Sequence, residues 1–448
     1  MIPLSARPVP SPARPDRALP GARPAGPPRP RRAVGTVPAH RSPAAAPAPA
    51  RAPARRPRPA VVRPLLALAV AFVLLATTGW TAALRPHAAK DAMAAALAAW
   101  ARGSVGDRRL PDPGAAPATV TRFFAALTAP QRLGLVRRYP LVVGNLDGVD
   151  PALRYRANRF ALTRQRTSDL ARERSDQLTA AGHADATDLA DLDTSLLSGD
   201  RQILAYDPTG DGRVAEVLGD LRTATRIAVV VPGVGTDLSS FERDDAKAYS
   251  VTDGMARALY GAELAARPGA RTAVIAWADY DTPHGLGLEA STGTLAARGA
   301  LRLESLLASL PRRRDVALFC HSYGSVLCGL AAPHLPPGRV RDIAVMGSPG
   351  MRADDVADLR TTAHVWAARD AGDWIADVPH VEFAGLGHGP DPISGGFGAR
   401  VVSAAGADGH AGYFVPGTTS LANFADIALG DYSAVICPTG HTCTSGLV

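Results

Sequence analysis

Cys320-His321-Ser322-Tyr323-Gly324 sets a serine between a short apolar run, 315–319, and a segment with Val326, Leu327, Leu330 and Ala331 at helical spacing. A serine on a tight turn between a buried strand and a helix is a nucleophile elbow. The turn lifts its hydroxyl clear of the backbone and aims the next N–H at a developing oxyanion. Small residues must flank it, because strand and helix approach closely there. Gly324 meets that need on one side, while Cys320 stands where glycine is usual on the other. Acyl transfer also needs a base, an acid to orient it, and two oxyanion donors. The Tyr323 N–H is the first donor. The second is expected from Pro232-Gly233-Val234-Gly235-Thr236, after the apolar run 226–231, with the Val234 N–H preferred. A phosphate-binding reading of that glycine loop lacks the lysine and spacing such loops carry. For the acid, Arg369-Asp370-Ala371-Gly372-Asp373-Trp374-Ile375 offers two aspartates. Asp373 is preferred to Asp370, since it lies deeper in the loop and precedes an apolar anchor. For the base, His410 follows the run 400–403 and is preferred to His388, which sits in Gly385-Leu386-Gly387-His388-Gly389-Pro390. His321 adjoins the nucleophile and should point away from the reacting face, as a structural residue.

These residues need a sheet to hold them. Strand-like runs at 226–231, 272–277, 315–319, 342–346, 363–367 and 400–403 alternate with helix-like segments at 241–266, 291–310, 323–334 and 420–429. Such alternation predicts a mostly parallel α/β sheet with helices on both faces. An irregular strand is expected at 380–383. Ahead of these, 201–206 and 213–217 read as hairpin strands around Asp207-Pro208-Thr209-Gly210-Asp211-Gly212. That connector spaces oxygens partly like a calcium loop, but Leu218 stands where the bidentate glutamate belongs, so a hairpin turn is preferred. Residues 91–200 form a helical subdomain, with helices expected at 91–102, 118–127, 131–138 and 151–181 and a helical or irregular connection at 187–199. It carries no catalytic signature and serves as packing or as a lid.

With serine, aspartate and histidine in that chain order, 201–431 resembles an alpha/beta hydrolase. More narrowly it resembles an uncharacterised actinobacterial branch of that superfamily. The phrases that carry this are Val231-Pro232-Gly233-Val234-Gly235-Thr236, His321-Ser322-Tyr323-Gly324-Ser325 and Gly409-His410-Ala411-Gly412-Tyr413-Phe414. Upstream, Val143-Gly144-Asn145-Leu146-Asp147-Gly148-Val149 and Arg156-Ala157-Asn158-Arg159 extend the resemblance back to about residue 118. It implies hydrolysis of an ester-like bond through Ser322 with no cofactor, and supplies no substrate. A binding or scaffold protein on the same fold, and an acyltransferase using the same acyl-enzyme, are the alternatives.

The formal charge of +8 at first suggests nucleic acid, but residues 1–63 hold 13 arginines against one acid, Asp16. The rest of the chain is therefore net acidic, and no nucleic-acid partner is expected. Residues 1–63 also hold most of a proline-rich stretch and should be a disordered tail. Residues 64–84 are uncharged from Leu65 to Leu84, and twenty helical residues span about 30 Å, the thickness of a bilayer's apolar core. They read as a signal anchor, or as a signal peptide cleaved after Ala83, and either places the body outside the cytoplasm. The expected partners are thus a small-molecule or lipid ester and a membrane; the oligomeric state is left open. Cys437 and Cys443 are expected to close a small loop in the C-terminal tail, 432–448. Cys320 and Cys328 are expected to stay apart, being on a strand end and in the second turn of a helix, beyond the ~7 Å Cα limit for bridging.

Overall fold

The structure, a computed structural model, describes residues 92–242, 248–311 and 313–447. The expected tail, 1–63, and membrane segment, 64–84, lie outside the described residues. Among the described residues no helix is long and apolar enough to cross a membrane.

Eight strands make one sheet: β1 (Gln202–Asp207), β2 (Arg213–Gly219), β3 (Arg226–Val231), β4 (Thr272–Ala278), β5 (Asp315–His321), β6 (Val340–Met346), β7 (His364–Ala368) and β8 (Arg400–Val401). Their spatial order is β1-β2-β4-β3-β5-β6-β7-β8. β2 runs antiparallel to both neighbours and the other pairs are parallel. The hairpin expected at 207–212 joins β1 to β2. β3 shows why the strands read as unbroken apolar runs. Ile227, Val229 and Val231 pack to one side and Ala228 and Val230 to the other, so both faces are buried. The first face is covered by α8 (Thr294–Ser309) and α9 (Gly324–Ala331), the second by α7 (Thr252–Ala266) and α10 (Thr419–Leu429).

The helical region comprises α1 (Ala92–Ala101), α2 (Pro117–Ala125), α3 (Ala129–Arg138), α4 (Pro140–Asn145), α5 (Pro151–Glu173) and α6 (Ala180–Leu197). The helix expected at 151–181 ends at Glu173, and the connection expected at 187–199 is helical as part of α6, which starts at Ala180. The Thr179 hydroxyl accepts the Gly182 N–H at 3.2 Å, and this cap starts a second helix where apolar periodicity alone ran on. The helix expected from 241 starts only at Thr252, after a 3₁₀ turn at Ala248–Ser250. The strand expected at 380–383 is a two-residue ribbon, Glu382–Phe383 against Leu386–Gly387, outside the main sheet.

The helices meet the sheet through two asparagines from the phrases that carried the family resemblance. Asn145 takes both backbone groups of Tyr206, its amide donating to the carbonyl at 2.7 Å and its oxygen accepting the N–H at 2.9 Å. Asn158 donates to the carbonyls of Ile203 at 2.9 Å and Gly144 at 3.2 Å. These side chains satisfy the outer edge of β1, where an unpaired ladder would otherwise face out. Gly144 makes the approach possible, since a Cβ there would lie 1.8 Å from the Asn158 amide oxygen. At the opposite edge, Asn423 of α10 binds the Ser403 and Ile436 carbonyls, each at 2.9 Å, and accepts the Ile436 N–H at 2.7 Å. The Cys437–Cys443 disulfide is formed, and Arg400 of β8 donates to the Cys443 carbonyl at 2.7 Å. The expected tail is therefore packed onto this edge.

One buried acid links α7 to β4. Glu263 is fully buried, bonded to the Thr272 hydroxyl, and its other oxygen has no partner among the described residues. Burial pushes its carboxyl up to about 8, against the opposing pull of Thr272 and Arg226. The folded protein thus keeps a proton there through a range in which the unfolded chain, near 4.5, has lost it. Its contribution is complete below about pH 4.5 and is lost as pH rises toward about 8. Urea unfolding of Glu263→Gln, which keeps the shape without the titration, should show a smaller fall in stability from pH 5 to pH 8 than the native protein. An identical fall in both would refute the assignment.

Candidate active site

β5 ends at His321 and α9 begins at Gly324, leaving Ser322 to turn the chain with φ 53°. Left-handed backbone is disfavoured for a residue bearing a Cβ, and it is held here by close packing. A Cβ on Gly324 would lie 2.5 Å from the Val231 carbonyl oxygen and 2.7 Å from that of Pro232. A Cβ on Gly233 would lie 2.6 Å from the Cβ of Ser322. The elbow and the loop after β3 therefore interlock, with glycine needed on both. Tyr280 donates to the Pro232 carbonyl at 2.7 Å, and Gly235 N–H to the Pro283 carbonyl at 2.8 Å, fixing that loop from outside. Neither the Tyr323 nor the Val234 N–H has a hydrogen-bond partner among the described residues.

The hydroxyl of Ser322 lies 2.8 Å from His410 Nε2. His410 Nδ1 lies 2.9 Å and 3.1 Å from the two oxygens of Asp373. With the Nδ1 proton directed at Asp373, Nε2 is left to accept from the serine. Asp373 also accepts the Ile375 N–H at 2.9 Å and the Tyr413 hydroxyl at 2.5 Å. Burial alone would push its carboxyl up. The hydrogen bonds from His410, Tyr413 and Ile375 outweigh burial and hold it below the usual carboxylate range, so it is ionised at neutral pH. Gly347, at φ 57°, clears space behind the pair; a Cβ there would come within 3.0 Å of both side chains.

The rival residues are engaged elsewhere. Asp370 accepts the N–H groups of Gly372 at 2.9 Å and Gly409 at 3.1 Å, tying the acid's loop to the base's loop. His388 donates through Nε2 to the Ala290 carbonyl at 2.6 Å and sets its ring edge-on to Tyr323. Burial pushes it down to about 4, so it is neutral. His321 lies against the base, its ring 4.8 Å from that of His410. Its Nε2 donates to the His410 backbone carbonyl at 2.7 Å, and burial lowers it to about 4 as well. A 440 Å³ surface cavity lined by Arg213, Asp281, Thr282, His284 and Glu289 contains none of Ser322, Asp373 and His410.

Residues 207–383 match the family model described as alpha/beta hydrolase. Over those residues the chain is similar to the alpha/beta hydrolases. Two uncharacterised proteins, from two strains of Mycobacterium tuberculosis, are each 28% identical over 388 residues, covering 73% of this chain. The match spans 58% of the length of these curated relatives. Among solved structures, an α/β serine hydrolase without a lid from Xanthomonas campestris is 13% identical with a TM-score of 0.33, covering 52% of this chain and 94% of its own. A putative alpha/beta hydrolase from Agrobacterium tumefaciens is 11% identical with a TM-score of 0.32, covering 53% and 100%.

One expectation fails at this elbow. Cys320 and Cys328 form a disulfide, with Cα atoms 6.5 Å apart and both side chains fully buried. The elbow reverses the chain within two residues, which brings the second turn of α9 back beside the end of β5 and inside bridging range. Cys320 is thus accommodated in a crowded position by bonding to the helix instead of pressing against it. Sequence reading also passed over Trp374, whose ring lies 4.6 Å from that of His410, and Tyr413 beneath the acid. The available signals were a tryptophan directly after the acid and a tyrosine three residues after the base.

Replacing both Cys320 and Cys328 by alanine should lower unfolding stability by about 2–3 kcal/mol, the chain-entropy value for so short a loop. Guanidinium melts of the variant and of the native protein, both taken under reducing conditions so that Cys437–Cys443 is open in each, should then converge. A variant as stable as the oxidised protein would show that the bond does not staple strand to helix.

Proposed function

We propose that this protein is a serine hydrolase that cleaves an ester-like bond through an acyl-enzyme on Ser322. One observation carries the reading, the unbroken hydrogen-bonded line from Ser322 through His410 to Asp373, with the serine on a left-handed elbow. As substrate binds, His410 Nε2 takes the serine proton while Oγ attacks the carbonyl carbon. The Tyr323 and Val234 amides receive the charge on the carbonyl oxygen. His410 then returns the proton to the leaving oxygen, and a water repeats the sequence to free the acid. Asp373 stays ionised and stabilises the imidazolium throughout.

The surroundings favour a carboxylic ester with an apolar portion, such as a lipid ester. Trp374 lies beside His410 and is 40% exposed, and Val381, Phe383 and Leu386 stand exposed farther along the same excursion. Leu286 and Leu288 are exposed on the segment that the Thr292–Leu386 bridge joins to it. We further propose that residues 64–84 anchor the protein in, or direct it across, the cell membrane with the catalytic part outside. Two disulfides support an oxidising compartment.

A fluorophosphonate probe should label the protein and fail to label Ser322→Ala. Asp373→Asn should lower turnover of a nitrophenyl ester by about 10⁴-fold with the fold retained. A mild Asp373→Asn beside a crippling Asp370→Asn would reverse the assignment of the acid. For topology, a reporter fused after Lys90 should be active outside the cytoplasm, and activity confined to the cytoplasm would refute both export readings.

A further inference from the structure

Tyr413 belongs to the phrase Gly409-His410-Ala411-Gly412-Tyr413-Phe414, yet the reaction just described gives it no part. It is buried, and its hydroxyl donates to Asp373 Oδ2 at 2.5 Å, the oxygen farther from His410 Nδ1. The same hydroxyl oxygen accepts the Asp370 N–H at 3.1 Å. The phenol is thus held from behind by one end of the acid's loop while it holds the carboxylate at the other. Burial and the facing carboxylates push its own titration far above the ordinary phenol range, so it is always a donor.

Building on the proposed hydrolase reading, we propose that Tyr413 is a positioning residue that fixes the Asp373 carboxylate toward His410 and limits how strongly that carboxylate retains the His410 proton. A carboxylate oxygen that accepts a hydrogen bond shares its charge with the donor. Removing the donor leaves Asp373 more basic and free to turn about its side-chain bonds. The first change holds the proton on His410 to higher pH; the second slows turnover because the base is less well aimed. The titratable groups facing the pair are His321 from the elbow, Asp370 from the acid's loop and Tyr413 itself, with Asp408 preceding His410 on its loop. His321 is pushed down to about 4 by burial and stays neutral above pH 5.5, so it does not confuse the reading.

The test measures nitrophenyl-ester turnover from pH 5.5 to 9, together with an NMR titration of the His410 ring, in the native protein and Tyr413→Phe. Tyr413→Phe should lower kcat by about tenfold with KM nearly unchanged. The acid limb of kcat/KM and the ring titration should both move up by about half a pH unit or more. Replacing Tyr413 by 3,5-difluorotyrosine, a stronger donor that keeps the ring and hydroxyl, should move both the other way, and this serves if the phenylalanine variant fails to fold. Unmoved profiles in folded variants would overturn the inference, as would a loss of kcat with no movement of the limb, which marks packing alone. If the native protein turns over no ester and takes no probe, the hydrolase reading fails. The ring titration still decides the role of Tyr413.

Discussion

A residue with a Cβ held at φ 53° costs about 1 kcal/mol or more, so Ser322 keeps that conformation only because its neighbours over-determine it. Three backbone segments converge on the turn: the end of β5, the start of α9 and the loop after β3. Each meets the next at a glycine, Gly324 against the Val231 and Pro232 carbonyls and Gly233 against the serine itself. The Ser322 N–H is satisfied by the Met346 carbonyl at the end of β6. Ser322, the proposed oxyanion amides and the strand ends thus share one close-packed knot. Asp373 and His410, the proposed acid and base, then need only reach it from β7 and β8. Asp370 and His321 tie those two loops to each other and to the elbow, so the residues passed over for chemistry hold the frame that the chemistry needs.

The sheet was legible because its strands are buried on both faces. Runs such as Ile227 to Val231 carry no polar interruption, and β3 was located to the residue. Boundaries set by side-chain caps were not legible. The Thr179 hydroxyl that starts α6 interrupts no apolar period, and the 3₁₀ turn before Thr252 leaves no mark in composition. At the site, chain order and the position of each loop after a strand were enough to nominate residues that the structure draws together. They could not reveal the Cys320–Cys328 bond, because the distance between those residues depends on how sharply the elbow folds the helix back. Nor could they reveal Tyr413, since its meaning depends on a carboxylate forty residues away in the chain.

Burial decides protonation at several points, and with different results. Asp373 is buried but ringed by donors, which keep it charged. Glu263 is buried with one hydroxyl partner and stays protonated. His321 and His388 are buried with backbone carbonyl partners and stay neutral. What separates them is how many donors or acceptors face the charged form, since desolvation acts against charge in each.

The asparagines at the two sheet margins carry a consequence for how the molecule comes apart. Asn145 and Asn158 close β1 from the helical side, and Asn423 closes the far side through Ser403 and Ile436. Loss of the helices would leave the β1 ladder open, a surface on which a second molecule could pair strand to strand. The helical region and the sheet should therefore melt as one cooperative unit, without a populated state in which the sheet stands alone. The same helices that carry no reacting group then act as guards against self-association.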